Sequence, residues 1–125
     1  MSRKGNGMKI SNERKKELQS QYKQMRTDMG VIAVINKSNG KTYLDVGVNL
    51  KGRINRIGFQ LKSGGHPNRE MQKYWKELGR EAFSYKVLEQ LEYDEDESKI
   101  DYSDDLELLK MVWTDKLTEL GVQFY

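Results

Sequence analysis

Five consecutive apolar residues, Val31 to Ile35, stand between polar stretches, and all but Ala33 are β-branched. An apolar run without alternation is the pattern of a strand buried on both faces, so this segment is predicted as the central strand of a sheet. "NKSNGK" comes next, with Asn39-Gly40 suited to the positive φ of a tight turn. "TYLDVGV" then returns as the antiparallel partner. Within it Tyr43, Asp45 and Gly47 share one face, and Leu44, Val46 and Val48 share the other. The second set predicts the core face, the first a polar platform.

Helical spacing governs most of the chain beyond this hairpin. "NLKGRINRIGFQLKSGG" opens with Asn49 as N-cap and places Leu50, Ile54, Ile57 or Gly58, and Leu61 on one stripe. "HPNREMQKYWKELG" predicts a second helix entered at Pro67, with Met71, Tyr74, Trp75 and Leu78 apolar and Gly79 as its stop. "FSYKVLEQLE" alternates Phe83, Tyr85 and Val87 against Ser84, Lys86 and Leu88, a third strand. "SDDLELLKMVWTDKLTELG" predicts a helix capped by Ser103, with Leu106, Leu109, Val112 or Trp113, Leu117 and Leu120 inward and Gly121 closing it. Upstream, "SNERKKELQSQYKQM" reads as a basic helix with Leu18, Tyr22 and Met25 on its apolar side. Residues 1–10 lack periodicity and are expected to be an unstructured lead or tag remnant. The expected organisation is therefore a lead at 1–10, a basic helix at 11–28 and one domain at 29–125. Its class is α+β, a small three-stranded antiparallel sheet flanked by helices.

Composition narrows the chemistry. With 125 residues, 36% of them hydrophobic and 33% charged, the chain suits a single domain with one core. Cysteine is absent, which excludes disulfides, thiolate nucleophiles and thiolate metal sites. No apolar run is long enough to span a bilayer and no signal-peptide pattern is present, so a cytoplasmic location without a membrane partner is expected. The formal charge of +3 conceals a polarity. Basic residues outnumber acidic ones by eight to three in residues 1–30 and by eleven to four in residues 31–86, whereas residues 87–125 hold three against twelve. A basic body of this kind can track a phosphate backbone by releasing its counterions.

Gly30-Val31-Ile32, ten intervening residues and Tyr43-Leu44-Asp45 fall where the GIY-YIG nuclease family has its Gly-Ile-Tyr and Tyr-Ile-Gly tripeptides. "NKSNGKTY" resembles the family's hairpin turn. Arg53, ten residues beyond Tyr43, stands at the spacing of the family's helix arginine. "GGHPNREMQKYWKELGREAFSYKVLEQLE" is similar to the family's next segment. The resemblance runs over about residues 29–92 and more weakly through the last helix. It implies a three-stranded antiparallel sheet flanked by helices and metal-dependent hydrolysis of a DNA phosphodiester. In the family, two tyrosines, the arginine, a His or Tyr one turn after it and a metal-binding glutamate form the site. Such chemistry needs a base to activate water, a cation to hold the developing phosphorane charge and a divalent ion at the leaving oxygen.

Carried over by position, the resemblance assigns the phenol to Tyr43 and the cation to Arg53, and His66 corresponds to a histidine that some members place near DNA. Four positions depart from the pattern: Ile32 replaces the first tyrosine, Asp45 the second glycine, Ile57 the His or Tyr, and Lys110 the glutamate when the last helix is aligned on Trp113. An ammonium cannot coordinate magnesium, which leaves Glu107, one turn earlier, as the metal candidate. Asp45 is expected either to join Arg53 and Lys110 in a charge cluster across the old cleft or to sit at a strand edge in water. The resulting expectation is a catalytically impaired GIY-YIG-like domain without a resident cofactor. It would bind nucleic acid through Lys41, Lys51, Arg53, Arg56 and Lys62. Two alternatives stay open: a residual DNA endonuclease using magnesium or manganese, and a protein-interaction domain that keeps only the scaffold. His66 is expected in an exposed turn, Trp75 and Trp113 in the core, and the acidic 94–105 segment as a loop feeding a helix N-terminus.

Overall fold

The computed structural model describes residues 26–125; residues 1–25, with the lead and most of the predicted basic helix, lie outside the described part, and residues 26–28, the end of that predicted span, are not helical. Strand β1 spans Met29–Asn36 and β2 spans Thr42–Gly47, succeeded by helices α1, Leu50–Ser63, and α2, Arg69–Leu78. A short 3-10 turn, Arg80–Ala82, leads into β3, Phe83–Leu91, and helix α3 covers Ser103–Glu119. The sheet is antiparallel in the order β2-β1-β3, so the continuous apolar run is indeed the central strand. Val31, Ile32 and Val34 are completely buried.

Register explains how this run is used. Val34 faces Tyr43 and Tyr85 across the sheet, and Ile32 faces Asp45 and Val87. On this face Ile32, Val34 and Phe83 pack with Leu50, Ile57 and Leu61 of α1 and Met71 of α2. On the opposite face Met29 packs with Tyr102 and Leu106 at the start of α3, flanked by Val46 and Leu91. Both faces are therefore core. The polar platform expected around Tyr43 is not open, because α1 and α2 cover it and Tyr43 packs against the larger cluster. The alternation along β2 separates two buried faces rather than inside from outside.

Backbone approach fixes the start of the central strand. A Cβ on Gly30 would stand 2.1 Å from the carbonyl oxygen of Glu89, next to the point where the β1–β3 register shifts between Val31 and Ile32. At the far end of β1, Asn36 is fully buried. Its carbonyl accepts from the amide of Gly40 at 2.7 Å, its Oδ1 accepts from Ser38 N at 3.0 Å, and its Nδ2 donates to the Tyr125 hydroxyl at 2.9 Å. The last residues run beside β2, with a parallel bridge between Thr42 and Phe124.

The helix ends obey their sequence signals. Asn49 caps α1 through Gly52 N at 3.0 Å, and Asn68 rather than Pro67 caps α2 through Met71 N at 3.0 Å. Gly79 stops α2 at φ 90°. Ser103 is the first residue of α3, and its amide donates to Asp101 Oδ1 at 2.9 Å, so the side chain that serves this end is Asp101. Leu106 is buried on the inner side, but Leu120 is 78% exposed, and Val112 and Leu78 are also exposed. Helical spacing alone assigns Leu78 and Leu120 to the core, and the structure places them outside it; of the pair Val112 or Trp113, Trp113 is the half-buried one. No helix among the described residues is long and apolar enough to cross a membrane.

Candidate functional site

Tyr43, Asp45, Arg53 and His66 converge where β2, α1 and the loop after α1 meet. Alternation along β2 places Tyr43 and Asp45 on the same side, and α1 begins soon enough after the strand to bring Arg53 back over it. The Arg53 Nη1 lies 3.7 Å from Asp45 Oδ2. Arg53 also crosses Gly47, where an added Cβ would sit 3.2 Å from Nε, so this glycine leaves room for the guanidinium arm. The other Asp45 oxygen, Oδ1, accepts from Val46 N at 2.8 Å. Both oxygens of the residue that replaces the motif glycine thus have partners.

His66 is not an exposed turn residue: it is 1% exposed. Its amide donates to Gln72 Oε1 at 3.0 Å, and Gln72 Nε2 donates in turn to Leu61 O at 2.9 Å, which ties the loop between the two helices. His66 Nδ1 accepts from Asn68 N at 3.0 Å. That bond occupies the lone pair, so the neutral ring carries its proton on Nε2. Burial holds the imidazole below its ordinary pKa, opposed by the Asp45 charge. His66 is therefore neutral near pH 7, with Nε2–H as its donor and its Nδ1 lone pair engaged by the Asn68 amide. Its ring meets Tyr43 edge to face, with centroids 5.1 Å apart. Burial raises the Tyr43 phenol above its usual pKa, Asp45 adds to the rise and Arg53 opposes it, so this phenol too stays protonated at neutral pH.

Three of the four departures that the resemblance marks, Ile32, Asp45 and Ile57, sit on the same side of the sheet. Ile32 lies across from Asp45 in the register, and both Ile32 and Ile57 are buried in the main cluster. The two positions that would supply further hydroxyl or imidazole groups are apolar floor. Lys110 forms no ion pair with the described residues and does not line the cleft beside Arg53, so the expected three-charge cluster reduces to the Asp45–Arg53 pair. The residues facing Arg53 across that cleft, about 290 Å³ in volume, include Asp101, Ser103 and Glu107. Asp101 is already committed to the amide and hydroxyl of Ser103, which hold its carboxyl below the usual range. Glu107 is the carboxylate there that has no hydrogen bond with the described residues. Among the described residues no three His, Asp or Glu side chains gather into a metal-binding group. A hard divalent ion that keeps most of its water can nevertheless use one carboxylate and substrate phosphate, and Glu107 fits that minimal role.

The basic residues do not form one surface. Lys41 binds Glu70 at 2.6 Å and lies over the Tyr125 ring, so it is already neutralised. Lys51, Arg56 and Lys62 are exposed and form no ion pair with described residues. Arg53 projects from the opposite flank of α1 to Lys62. The sequence carries no signal for Asp101, because its role depends on the loop that folds it against α3. Nor does it mark the groove on the other flank of α1, lined by Phe59, Trp75 and Tyr85, since three aromatics on three separate elements show no common spacing.

A three-stranded antiparallel sheet held between helices, with Tyr43 on its second strand and Arg53 on the helix after it, has the architecture of the GIY-YIG nuclease catalytic domain. Two solved structures share it. A point mutant of the catalytic domain of intron endonuclease I-TevI superimposes with a TM-score of 0.63 at 19% identity, covering 79% of this chain and 93% of that one. The catalytic domain of homing endonuclease I-TevI gives 0.62 at 18% identity, covering 77% and 96%. No protein-family model matches the chain, and no curated protein does. At these identities the likeness is one of fold.

Proposed function

We propose that this GIY-YIG-fold domain binds nucleic acid through the cations carried on the two exposed flanks of α1 and is impaired in hydrolysis. The observation that carries the reading is α1 itself: it bears Lys51, Arg53, Arg56 and Lys62 and no acidic residue. Such a helix offers cations to phosphate without internal competition. Impairment stems from the surroundings of Arg53. Its guanidinium is partly neutralised by Asp45, the adjacent phenol and imidazole are both neutral, and apolar Ile32 and Ile57 occupy the remaining floor. The purified chain should bind a labelled duplex with an affinity that falls steeply as salt rises, and Arg53→Ala should lower the log–log slope by about one. Failure to bind either duplex or single strand at low salt would overturn the reading.

One observation favours a second reading, residual metal-assisted cleavage: Glu107 and Arg53 line the same cleft. A divalent ion held at Glu107 would stabilise the leaving oxygen of a phosphodiester, while Arg53 would bear on a non-bridging oxygen. Supercoiled plasmid incubated with and without magnesium separates the readings. Nicking that requires magnesium and disappears in Glu107→Gln would establish the second; its absence at protein excess supports the first.

A further inference from the structure

The flank of α1 turned away from Asp45 carries a groove of about 500 Å³. Its walls come from three different elements: Phe59 on α1, Trp75 on α2 and Tyr85 on β3. Lys62 and Arg80 stand at its rim, and none of its lining residues is acidic. Phe59 is 72% exposed, and it adjoins Trp75 and Tyr85 in one aromatic patch, the kind of contiguous surface that marks a binding site. Tyr85 is half-buried, and its hydroxyl lies 3.5 Å from where a Cβ on Gly58 would stand, so its phenol edges the groove beneath α1. Burial raises that phenol above its usual pKa. Its hydroxyl, the Trp75 indole nitrogen and the Lys62 and Arg80 cations have no hydrogen-bond or ion-pair partner among the described residues.

Aromatic walls ask for a flat or apolar occupant, unused donors ask for acceptors within it, and two rim cations without an opposing acid ask for an anion attached to it. A nucleotide meets all three demands in one molecule: every base has a π-face to stack, ring acceptors for the donors, and a phosphate for Lys62 and Arg80. A base paired within a duplex has its faces covered by its neighbours and cannot enter. We infer that this groove takes an unpaired nucleotide, so that the favoured ligand is a single strand, or a duplex bearing a single-stranded end, rather than a blunt duplex. The inference rests on nucleic acid being the partner, but it uses residues on the opposite flank of α1 from Arg53.

The test compares three probes on the full chain: a ten-nucleotide oligothymidine, a blunt twelve-base-pair duplex, and a peptide with phenylalanine between aspartates. Binding is monitored by fluorescence anisotropy, and the Trp75 indole N–H resonance by two-dimensional NMR. The expected result is tighter binding of the single strand, movement of the Trp75 resonance on its addition, and a loss of about tenfold in its affinity in Phe59→Ala, with duplex affinity unchanged. Arg80→Ala should weaken the single strand as well. Phe59 is largely exposed and touches little, so the fold survives its truncation. If both nucleic acids bind, yet Phe59→Ala changes neither and the Trp75 resonance stays still, the groove inference falls and the proposed function stands. If neither nucleic acid binds, both fall together. If the peptide alone moves the Trp75 resonance, the groove serves protein and the inference is overturned.

Discussion

The ring of His66 meets the ring of Tyr43 edge to face, at 5.1 Å between centroids and 86° between planes. A loop residue and a strand residue that the sequence separates by a whole helix are thereby locked together beneath Arg53. Burial keeps the imidazole neutral near pH 7, and the Asn68 amide donates to its Nδ1.

Stability should therefore depend on pH through this one ring. The folded pKa of His66 lies below the ordinary imidazole value of 6.5, so just below pH 6.5 the unfolded chain binds more protons than the folded one. Stability is then complete above about pH 6.5, declines as pH falls towards the folded pKa, and levels off beneath it. His66 is the sole histidine, so urea midpoints measured between pH 7.5 and about 5 should report it directly. His66→Phe should be less stable but flat across that interval; a slope that persists in the variant would assign the effect elsewhere.

Asp45 restrains Arg53, and removing its charge while keeping its shape should release the cation. Asp45→Asn can still accept from Val46 N. Its affinity for duplex DNA is expected to rise several-fold at low salt, with a steeper dependence on salt. An unchanged isotherm would show that Asp45 does not shield the site.

Lys41 and Lys51 separate a committed cation from a free one. Because Lys41 is held by Glu70, Lys41→Ala should leave nucleic-acid affinity nearly unaltered, whereas Lys51→Ala and Arg56→Ala should each weaken it and lower the salt slope. Equal losses in all three would mean that the Glu70 contact breaks on binding.

Gly30 has no room for a methyl group. Gly30→Ala must push β1 and β3 apart at the Glu89 carbonyl, and a cost of about 3 kcal/mol or more is expected from the overpacking alone. Thermal unfolding of the variant measures it directly.

Two leucines of the last helix and its end give a matched contrast. Leu106→Ala, at 4% exposure, should cost about 2–5 kcal/mol, and Leu120→Ala, at 78% exposure, should stay within about 0.5 kcal/mol. The same pair shows what could be read from the sequence. Element order, the central strand and the caps at Asn49 and Gly79 were legible because each rests on a local signal. Leu120 and Leu78 mislead because helical period marks an apolar side without saying how far along the axis the sheet reaches. The site was legible in part. Tyr43 and Arg53 are neighbours across a strand and the helix after it, so their spacing carries their geometry. The burial of His66 and the turning of Glu107 rather than Lys110 towards Arg53 depend on how a loop and a distant helix dock, and spacing along the chain does not encode that.

The residues alongside Thr42 have one more consequence, for assembly. Residues 123–125 occupy the outer hydrogen-bonding positions of Thr42 and so cover the start of the β2 edge. The far side of β3 is the other edge of the sheet and is unpaired among the described residues. There the register shift and the exposed Lys86, Glu89 and Gln90 present a kinked, polar margin, the kind of edge that discourages pairing between copies. Backbone pairing between copies is thus discouraged at the start of β2 by the chain itself and along β3 by irregularity and charge.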